Sequence, residues 1–410
     1  MTGASPRRDR VMFLYWGRRG ALSRFTLELA RACRDAPNLE ATFSVSRQNE
    51  LFGAFEALGP ALFPVQTFET GLGAMAGLGQ LLAVRRSLAD RLATDGTEVV
   101  ITLMPHLWSQ LIVDVVKRAG ARYVTIVHDV VHHPGEKSRR LHTWLLREAA
   151  VADRVVTLSH TVGGQLARSG RVSPGQVWPM FLPDIAYGDR PPLPLVFEPG
   201  RGPLRVLFFG RVLAYKGLPR LVEAVERLRA SGMDIALGVY GDGDLRPIRA
   251  RLEAIGAEVV NRWIGEEEVA SVFRRYHAVV LAHSEASQSG VAAAALGAGV
   301  PVVAVPVGGI VEQVQHGETG LLARTTDAAS LADAIGTLAG DAALHRRLCA
   351  RIAETRPQRS MTRFLSELVS IACAPQLQRT ATTAAVAGGV DDVEARSGAY
   401  ASRAHESGSA

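Results

Sequence analysis

The chain has 410 residues, of which 47% are hydrophobic and 21% are charged, and its net charge at neutral pH is +6. This length exceeds what one hydrophobic core usually serves, so it predicts two domains. Disulfide frameworks and cysteine-based metal sites are excluded by three widely spaced cysteines, Cys33, Cys349 and Cys373. We predict neither a signal peptide, since no apolar stretch of 7–15 residues follows the N-terminal arginines, nor a membrane span, since no apolar run reaches ~18 uninterrupted residues. We therefore expect a cytoplasmic protein.

The positive charge has two interpretations. A pI near 9.5 fits attraction to anionic lipids or phosphorylated ligands, and it fits equally a surface that is generally rich in arginine. Peripheral contact with an anionic membrane at its inner face is thus one expectation. Nucleic-acid binding is disfavoured, because no arginine cluster is interleaved with aromatic residues.

The first half of the chain alternates buried strands with helical patterns. Residues 11–15 form an apolar run, Gly17 and Gly20 follow it, and apolar positions then recur at helical spacing over 25–33. The two glycines permit a tight turn on which the polar groups of a ligand can lie. A plain strand-to-helix turn without a ligand is the alternative. The same patterns predict further strands at 41–45, 62–68, 99–103, 123–127 and 154–158, and helices at 81–92, 111–119 and 141–150.

His128 stands at the end of the predicted strand 123–127. Ligands of open α/β sheets bind at the carboxyl ends of the strands, where an imidazole can donate or accept a hydrogen bond near neutral pH. A purely structural histidine is the alternative. A metal site is not predicted, because no helical His-Glu-x-x-His spacing occurs among the neighbouring His132, His133, His142 and Glu136.

A composition break divides the chain. Residues 189–203 contain five prolines and two glycines with no helical or strand period, which is typical of a linker. We therefore predict an N-terminal domain over 1–188 and a C-terminal domain over 204–356.

The second half begins with a predicted strand over 204–209, and Arg211 and Lys216 lie on the connection that follows it. Two cations near a helix start would neutralise a departing diphosphate, an electrostatic contribution that is often the largest in catalysis. A solvated pair of surface cations is the alternative. The next strand, 235–240, ends in a turn with Gly241 and Gly243, which lacks the third glycine of a dinucleotide fingerprint.

The most informative stretch is 279–309. A buried strand, a polar turn, a helix of small residues and a second buried strand follow one another there. The first free N–H groups of this helix favour an anion, and Ser289, Gly290 and Val291 stand at its start. Glu285 lies just before them, within reach of hydroxyls on whatever carries the phosphate. A buried corner with a solvated glutamate is the alternative.

These segments resemble the retaining glycosyltransferase family 4, also called glycosyl transferases group 1, over about residues 11–370. The resemblance depends on Gly-Arg-x4-Lys-Gly at 210–217, on Glu285 with Ser289-Gly290, on Gly-Val-Pro-Val-Val-Ala at 299–304 and on Gly308-Gly309 with Glu312. The chain departs from the family in one place: Ala293 occupies the position eight residues after Glu285, where a second glutamate usually holds the ribose.

The resemblance implies the α/β fold called GT-B, in which two doubly wound Rossmann-like domains face each other across a cleft. It implies a retaining transfer of sugar from a nucleotide-sugar donor to an acceptor hydroxyl of a glycan, a lipid or a small molecule, as in glycan biosynthesis, with neither metal nor cofactor. Catalytic roles then fall to His128, Glu285, Arg211 and Lys216. Substrate contacts fall to Gly17, Gly20, Gly241, Gly243, Ser289, Gly290 and Val291.

Three glutamates at 266–268 and the single Glu312 each stand where a helix is predicted to begin, which favours capping roles. A last helix is predicted over 357–373, with Ser360 as its cap, and in GT-B proteins this helix crosses back to the first domain. Residues 374–410 are rich in Ala, Ser, Thr and Gly, and we expect them to be disordered.

Two other functions are compatible with these residues. Ala293 favours a non-catalytic protein that binds a sugar nucleotide, and a nucleotide-sugar hydrolase or epimerase would use the same donor site without an acceptor. The sequence identifies neither the nucleotide base, nor the sugar, nor the acceptor.

Overall fold

The structure is a computed structural model that describes residues 8–68, 78–132, 139–188 and 194–375. Within these ranges the chain forms two parallel sheets, one in each half. Both are built from Val-, Ile- and Leu-rich runs that are buried on both faces, as parallel sheets covered by helices require. The prediction of two doubly wound α/β domains is confirmed.

The first domain has a seven-stranded sheet in the order β3-β2-β1-β4-β5-β6-β7 among the described residues. Its strands are β1 (Asp9–Tyr15), β2 (Leu39–Val45), β3 (Ala61–Leu62), β4 (Val99–Thr102), β5 (Arg122–Val127), β6 (Arg154–Thr157) and β7 (Val177–Pro179). Its α-helices are α1 (Ala21–Arg34), α2 (Phe52–Leu58), α3 (Leu78–Asp95), α4 (Val113–Arg118), α5 (Arg139–Val151) and α6 (His160–Arg168). The strand predicted over 62–68 is wrong for most of its length, because β3 ends at Leu62 and, of the residues after it, Val65 forms an isolated bridge with Ser46.

The second domain has a six-stranded sheet in the order β10-β9-β8-β11-β12-β13 among the described residues. Its strands are β8 (Leu204–Phe209), β9 (Ile235–Tyr240), β10 (Glu258–Val260), β11 (Ala278–Leu281), β12 (Val302–Ala304) and β13 (Gly320–Leu322). Its α-helices are α7 (Leu218–Ala230), α8 (Arg249–Ala254), α9 (Glu266–Phe273), α10 (Gly290–Gly297), α11 (Ile310–Gln313), α12 (Ala328–Gly340), α13 (Ala342–Thr355) and α14 (Met361–Cys373). Short 3-10 turns occupy Ser109–Leu111, Pro174–Gln176, Ala214–Lys216 and Arg356–Arg359.

Both sheets reverse their strand order at one place, between β1 and β4 in the first domain and between β8 and β11 in the second. Loops that leave the carboxyl ends of strands on either side of such a reversal diverge and leave a crevice. The two crevices are where ligands of this architecture bind. The connections after β1 and β4, and those after β8 and β11, flank these crevices, and β5, which precedes His128, is the strand next to β4.

The chain crosses between the domains in two places. Around 184–186 the backbone contacts the second domain, since Ile185 N–H donates to the Ala293 carbonyl (3.0 Å). The second crossing is α14, whose Phe364 ring packs edge-on against Phe25 of α1, with centroids 5.4 Å apart. Of the predicted linker, residues 189–193 lie outside the described residues, and Phe197 is already buried in the core of the second domain. The predicted disordered tail lies outside the described residues from 376 onward.

Among the described residues, no helix is both long and apolar enough to cross a lipid bilayer.

Candidate functional site

The start of α10 is held in place by its own cap and by a neighbouring glutamine. Ser289 is the N-cap, and its Oγ accepts from the Ala292 N–H (3.2 Å). The Gln313 side chain accepts from the Ser289 N–H (2.6 Å) and donates to the Ser289 carbonyl (3.2 Å). Among the described residues, no acceptor takes the N–H groups of Gly290 and Val291, the two that an anion at a helix start would use.

The start of α1 faces the start of α10 across the domain junction. A Cβ placed on Gly290 would lie 3.4 Å from the Cβ of Ala21. Gly20, just before α1, has a φ of +102°, and its N–H donates to Glu50 Oε1 (2.7 Å). The structure therefore brings the Gly17–Gly20 loop of the first domain next to Ser289-Gly290 of the second. Two helix N-termini with their partial positive charge meet there.

The connections after β8 and β9 pack onto the same place. Gly210 approaches the first turn of α10, where its Cβ position lies 3.4 Å from Val291 Cγ2. Gly241 lies against it so closely that a Cβ would stand 1.9 Å from the Gly210 carbonyl oxygen. Gly243 continues this loop, and its N–H donates to Asn261 Oδ1 (3.2 Å). Gly241 and Gly243 thus border the site through their backbone.

Lys216 is fixed beside the loop that carries Glu285. Its ammonium lies 2.9 Å from His283 Nε2 and 5.1 Å from the centre of the Tyr215 ring. Since an ammonium only donates, His283 must accept with Nε2 and carry its proton on Nδ1. The Ser284 N–H donates to the Tyr215 carbonyl (2.8 Å), which ties the two loops together. Arg211 is exposed on the same connection, and Glu285 is half-buried.

His128 follows β5 in the first domain. Its Nε2 lies 2.7 Å from the Leu103 carbonyl oxygen, so Nε2 carries the proton and donates. Burial lowers the pKa of His128, which favours the neutral ring. In that tautomer Nδ1 is a hydrogen-bond acceptor.

An aromatic cluster at the same sheet edge was missed by the sequence reasoning. The His106 ring lies 5.7 Å from Trp16, 5.2 Å from Phe68 and 6.0 Å from Trp108, measured between ring centroids. Burial lowers the pKa of His106 to about 4, so the ring is neutral. These residues come from three separate connections, those after β1, β3 and β4, and their sequence spacing gives no sign that the three connections meet.

The predicted capping glutamates take different roles. In α9, Glu268 does cap, because its Oε1 accepts from the Gly265 N–H (3.2 Å). Glu266 instead lies among first-domain charges, and burial raises its pKa to about 7, opposed by Arg24 and assisted by Glu50. Glu312 does not cap its own helix α11. Its carboxylate accepts from the His160 and Thr161 N–H groups at the start of α6 in the other domain (2.6 and 2.8 Å).

Ala293 lies on the side of α10 that faces the first domain. It is buried among apolar residues that include Leu182, Ile185 and Met361. A glutamate at 293 would therefore meet an apolar interior instead of the open end of the helix. The departure from the family pattern at this position changes packing and leaves the N–H groups at the start of α10 untouched.

The predicted absence of a metal site concerns residues that the structure describes only in part. His133 and Glu136 lie outside the described residues, and the His132 and His142 rings are 5.9 Å apart. Across the ranges that are described, no group of three or more His, Cys, Asp or Glu side chains could hold a metal ion.

Comparison with known proteins gives a consistent result. Residues 203–341 match the family model described as glycosyl transferases group 1. The chain is 29% identical over 222 residues to glycogen synthase of Mycobacterium tuberculosis, covering 52% of each chain. It is 28% identical over 276 residues to 2-deoxystreptamine glucosyltransferase of Streptomyces kanamyceticus, covering 60% of this chain and 68% of that protein. The chain thus spans about half the length of the first relative and about two thirds of the second.

Among solved structures, HepE of Anabaena in complex with UDP and glucose superposes with a TM-score of 0.66 at 14% identity, covering 88% of this chain and 98% of that one. A likeness at this identity concerns the fold alone. The predicted GT-B fold is thereby confirmed, and the second half of the chain contains a glycosyl transferases group 1 domain.

Proposed function

We propose that this protein is a retaining glycosyltransferase that moves a sugar from a nucleotide-sugar donor to an acceptor hydroxyl. The observation that carries the proposal is the meeting of two helix starts, those of α1 and α10, with the connection that bears Arg211 and Lys216. A diphosphate suits this arrangement, because the backbone N–H groups at the start of α10 and the two cations on the neighbouring connection would neutralise its negative charge. The group 1 domain and the names of the relatives support glycosyl transfer.

In this proposal the donor diphosphate binds the N–H groups of Gly290 and Val291, and Arg211 and Lys216 neutralise it as it departs. This cation set makes a metal unnecessary. Glu285, in the second domain, accepts hydrogen bonds from the sugar hydroxyls. His128, in the first domain, accepts one hydrogen bond from the sugar through Nδ1. Gly17 and Gly20 line the cleft, and Gly241 and Gly243 border the nucleotide.

The reaction needs no protein nucleophile. The acceptor oxygen bonds to the anomeric carbon from the face that the diphosphate leaves, and the bond between that carbon and the phosphate oxygen breaks. The acceptor proton passes to the departing phosphate. The products are the glycosylated acceptor, with retained configuration, and a nucleoside diphosphate.

A UDP-hexose is the first donor to test, because HepE was solved with UDP and glucose. For the acceptor, a glycan or a lipid-linked sugar is the class to screen first, since the basic surface suits a phosphorylated or membrane-bound carrier.

The test combines binding with turnover. Thermal unfolding is followed with UDP, GDP and ADP, and then with the matching sugar donors, since a ligand at hundredfold excess over Kd stabilises by about 2.7 kcal/mol. Glu285→Gln should abolish transfer and keep the nucleotide-induced stabilisation. Release of free sugar without any acceptor would favour the hydrolase or epimerase. Nucleotide binding with no turnover of any donor would favour the non-catalytic binding protein.

A further inference from the structure

Two adjacent side chains of α11 bind opposite sides of the domain junction. The Glu312 carboxylate accepts from His160 N–H (2.6 Å), Thr161 N–H (2.8 Å) and Thr161 Oγ1–H (2.6 Å), all at the start of α6 in the first domain. Gln313 makes two hydrogen bonds to the backbone of Ser289, the N-cap of α10. One peptide unit thus separates the contact with the first domain from the contact with the anion-binding helix.

The loops around these two residues are packed backbone to backbone. A Cβ on Gly309 would lie 2.0 Å from the Ser287 carbonyl oxygen and 3.1 Å from the Ser159 Cβ. Ser159 Oγ–H in turn donates to that same Ser287 carbonyl (2.9 Å). Because the loops at Ser159, Ser287 and Gly309 are in close contact, α6 cannot rotate relative to the second domain while these loops keep their positions. Such a rotation must move the loop that carries Glu285 and Ser289.

The Glu312 contacts are of the stronger kind. A carboxylate at a helix start accepts charge-assisted hydrogen bonds and interacts favourably with the helix dipole. Such bonds contribute more to stability than hydrogen bonds between neutral groups. If domain rotation broke these hydrogen bonds, the position of Glu312 and of α11 in the second domain would therefore change.

We propose that Glu312 and Gln313 are positioning residues that couple the orientation of the first domain to the geometry of the phosphate-binding start of α10. The inference depends on the proposed function, since it assigns the site at α10 to the donor phosphates. Coupling between two sites is reciprocal: if the orientation of α6 affects nucleotide binding, nucleotide binding must stabilise the contacts at the start of α6.

Amide hydrogen exchange tests this coupling without any turnover. We expect the nucleoside diphosphate that stabilises the protein most, among UDP, GDP and ADP, to slow exchange at His160 and Thr161 by about fivefold or more. Gln313→Met, which keeps the length of the side chain and removes both hydrogen bonds to Ser289, should abolish this protection even at nucleotide saturation. Glu253→Gln on the exposed side of α8 is the matched control and should keep it.

Kinetics supply the second readout. Thr161→Val removes the hydroxyl that donates to Glu312, and Thr161→Ser keeps it, so the valine variant should lower kcat and the serine variant should restore it. Glu312→Gln and Gln313→Met should be non-additive in kcat/KM, the double variant losing at least about fivefold less than the product of the two single losses.

Nucleotide binding without protection at 160–161, or fully additive kinetic effects, would overturn the inference and leave the proposed function intact. Failure of all three nucleotides to bind would overturn the proposed function and this inference with it.

Discussion

Gly290, at the start of α10, lies against Ala21, at the start of α1, so that a Cβ on the glycine would be 3.4 Å from the Cβ of the alanine. The two residues belong to different domains. Their contact places two helix N-termini face to face, and each presents N–H groups with partial positive charge. An anion between them would be bound from both sides. Donor binding would then depend on how closely the two domains approach each other.

Side-chain size at position 290 should therefore control nucleotide binding. Gly290→Ala adds a methyl group at ordinary contact distance from Ala21 and should be tolerated. Gly290→Val fills the space between the helix starts and should weaken nucleoside diphosphate binding about tenfold or more, equivalent to ~1.4 kcal/mol. Isothermal titration calorimetry measures both, and circular dichroism checks that the valine variant is folded. Equal affinities for the two variants would contradict the proposed position of the anion.

The cations should matter more for catalysis than for folding. Arg211→Met and Lys216→Met keep much of the side-chain length and remove the charge, so each should lower kcat/KM about 10²–10³-fold, as loss of one preorganised electrostatic group does. Steady-state kinetics with the active donor measures this. Arg249→Met, an exposed residue of α8, is the matched control. Losses no larger than those of the control would remove both cations from the mechanism.

Glu266 should make the stability of the protein depend on pH. Burial raises the pKa of its carboxyl from 4.5 to about 7, Arg24 opposes that shift, and Glu50, Glu267 and Glu28 add to it. Between these two pH values the folded state binds more protons than the unfolded state, so this group's contribution to the free energy of unfolding falls as pH rises through the window.

Glu266→Gln should remove that penalty. The variant should match the wild type near pH 4.5 and exceed its stability at pH 8 by on the order of 1 kcal/mol, a figure discounted because the side chain is partly exposed. Urea unfolding at pH 5 and pH 8 measures the difference, with Glu253→Gln as the control. A variant that is no more stable than the wild type at pH 8 would show that the carboxyl is not destabilised by its surroundings.

Gly217 should be intolerant of any side chain. Its φ is +71°, and a Cβ would stand 1.7 Å from the Ala282 carbonyl oxygen. Gly217→Ala should lower the free energy of unfolding by about 3 kcal/mol or more, through backbone strain and overlap together. Gly232 has a φ of +84° and nothing within 4 Å of its Cβ position, so Gly232→Ala should cost only about 1 kcal/mol. Chemical denaturation of the two variants separates the cost of steric overlap from the cost of backbone strain. Equal losses of unfolding free energy would contradict the tight contact at Gly217.

Features that depend on local sequence could be predicted. The apolar runs before Gly17, Gly210 and Ser289 each form a strand whose end leads into a glycine loop, because burial pattern and turn chemistry act within a few residues. The exception was β3, where a run over 62–68 looked like a strand, whereas β3 ends at Leu62 and is followed by an isolated bridge between Val65 and Ser46. Pro64, which has no N–H to donate, interrupts the ladder inside the predicted run.

Features that depend on distant residues could not be predicted. The sequence suggested that Glu312 caps its own helix, whereas its partners, His160 and Thr161, are about 150 residues away in the chain. Glu266 carries the same capping pattern as Glu268, and only the packing of the first domain against it distinguishes the two. The sequence suggested the loss of a ligand-binding glutamate at Ala293. In the structure Ala293 lies among apolar residues on another side of α10.

The most direct test of the account is a crystal structure of the protein with its nucleoside diphosphate bound. We predict phosphate oxygens within hydrogen-bond distance of the Gly290 and Val291 N–H groups, with the Arg211 and Lys216 side chains turned toward the same phosphates. A nucleotide bound elsewhere, or one whose phosphates meet neither the start of α10 nor the two cations, would contradict it.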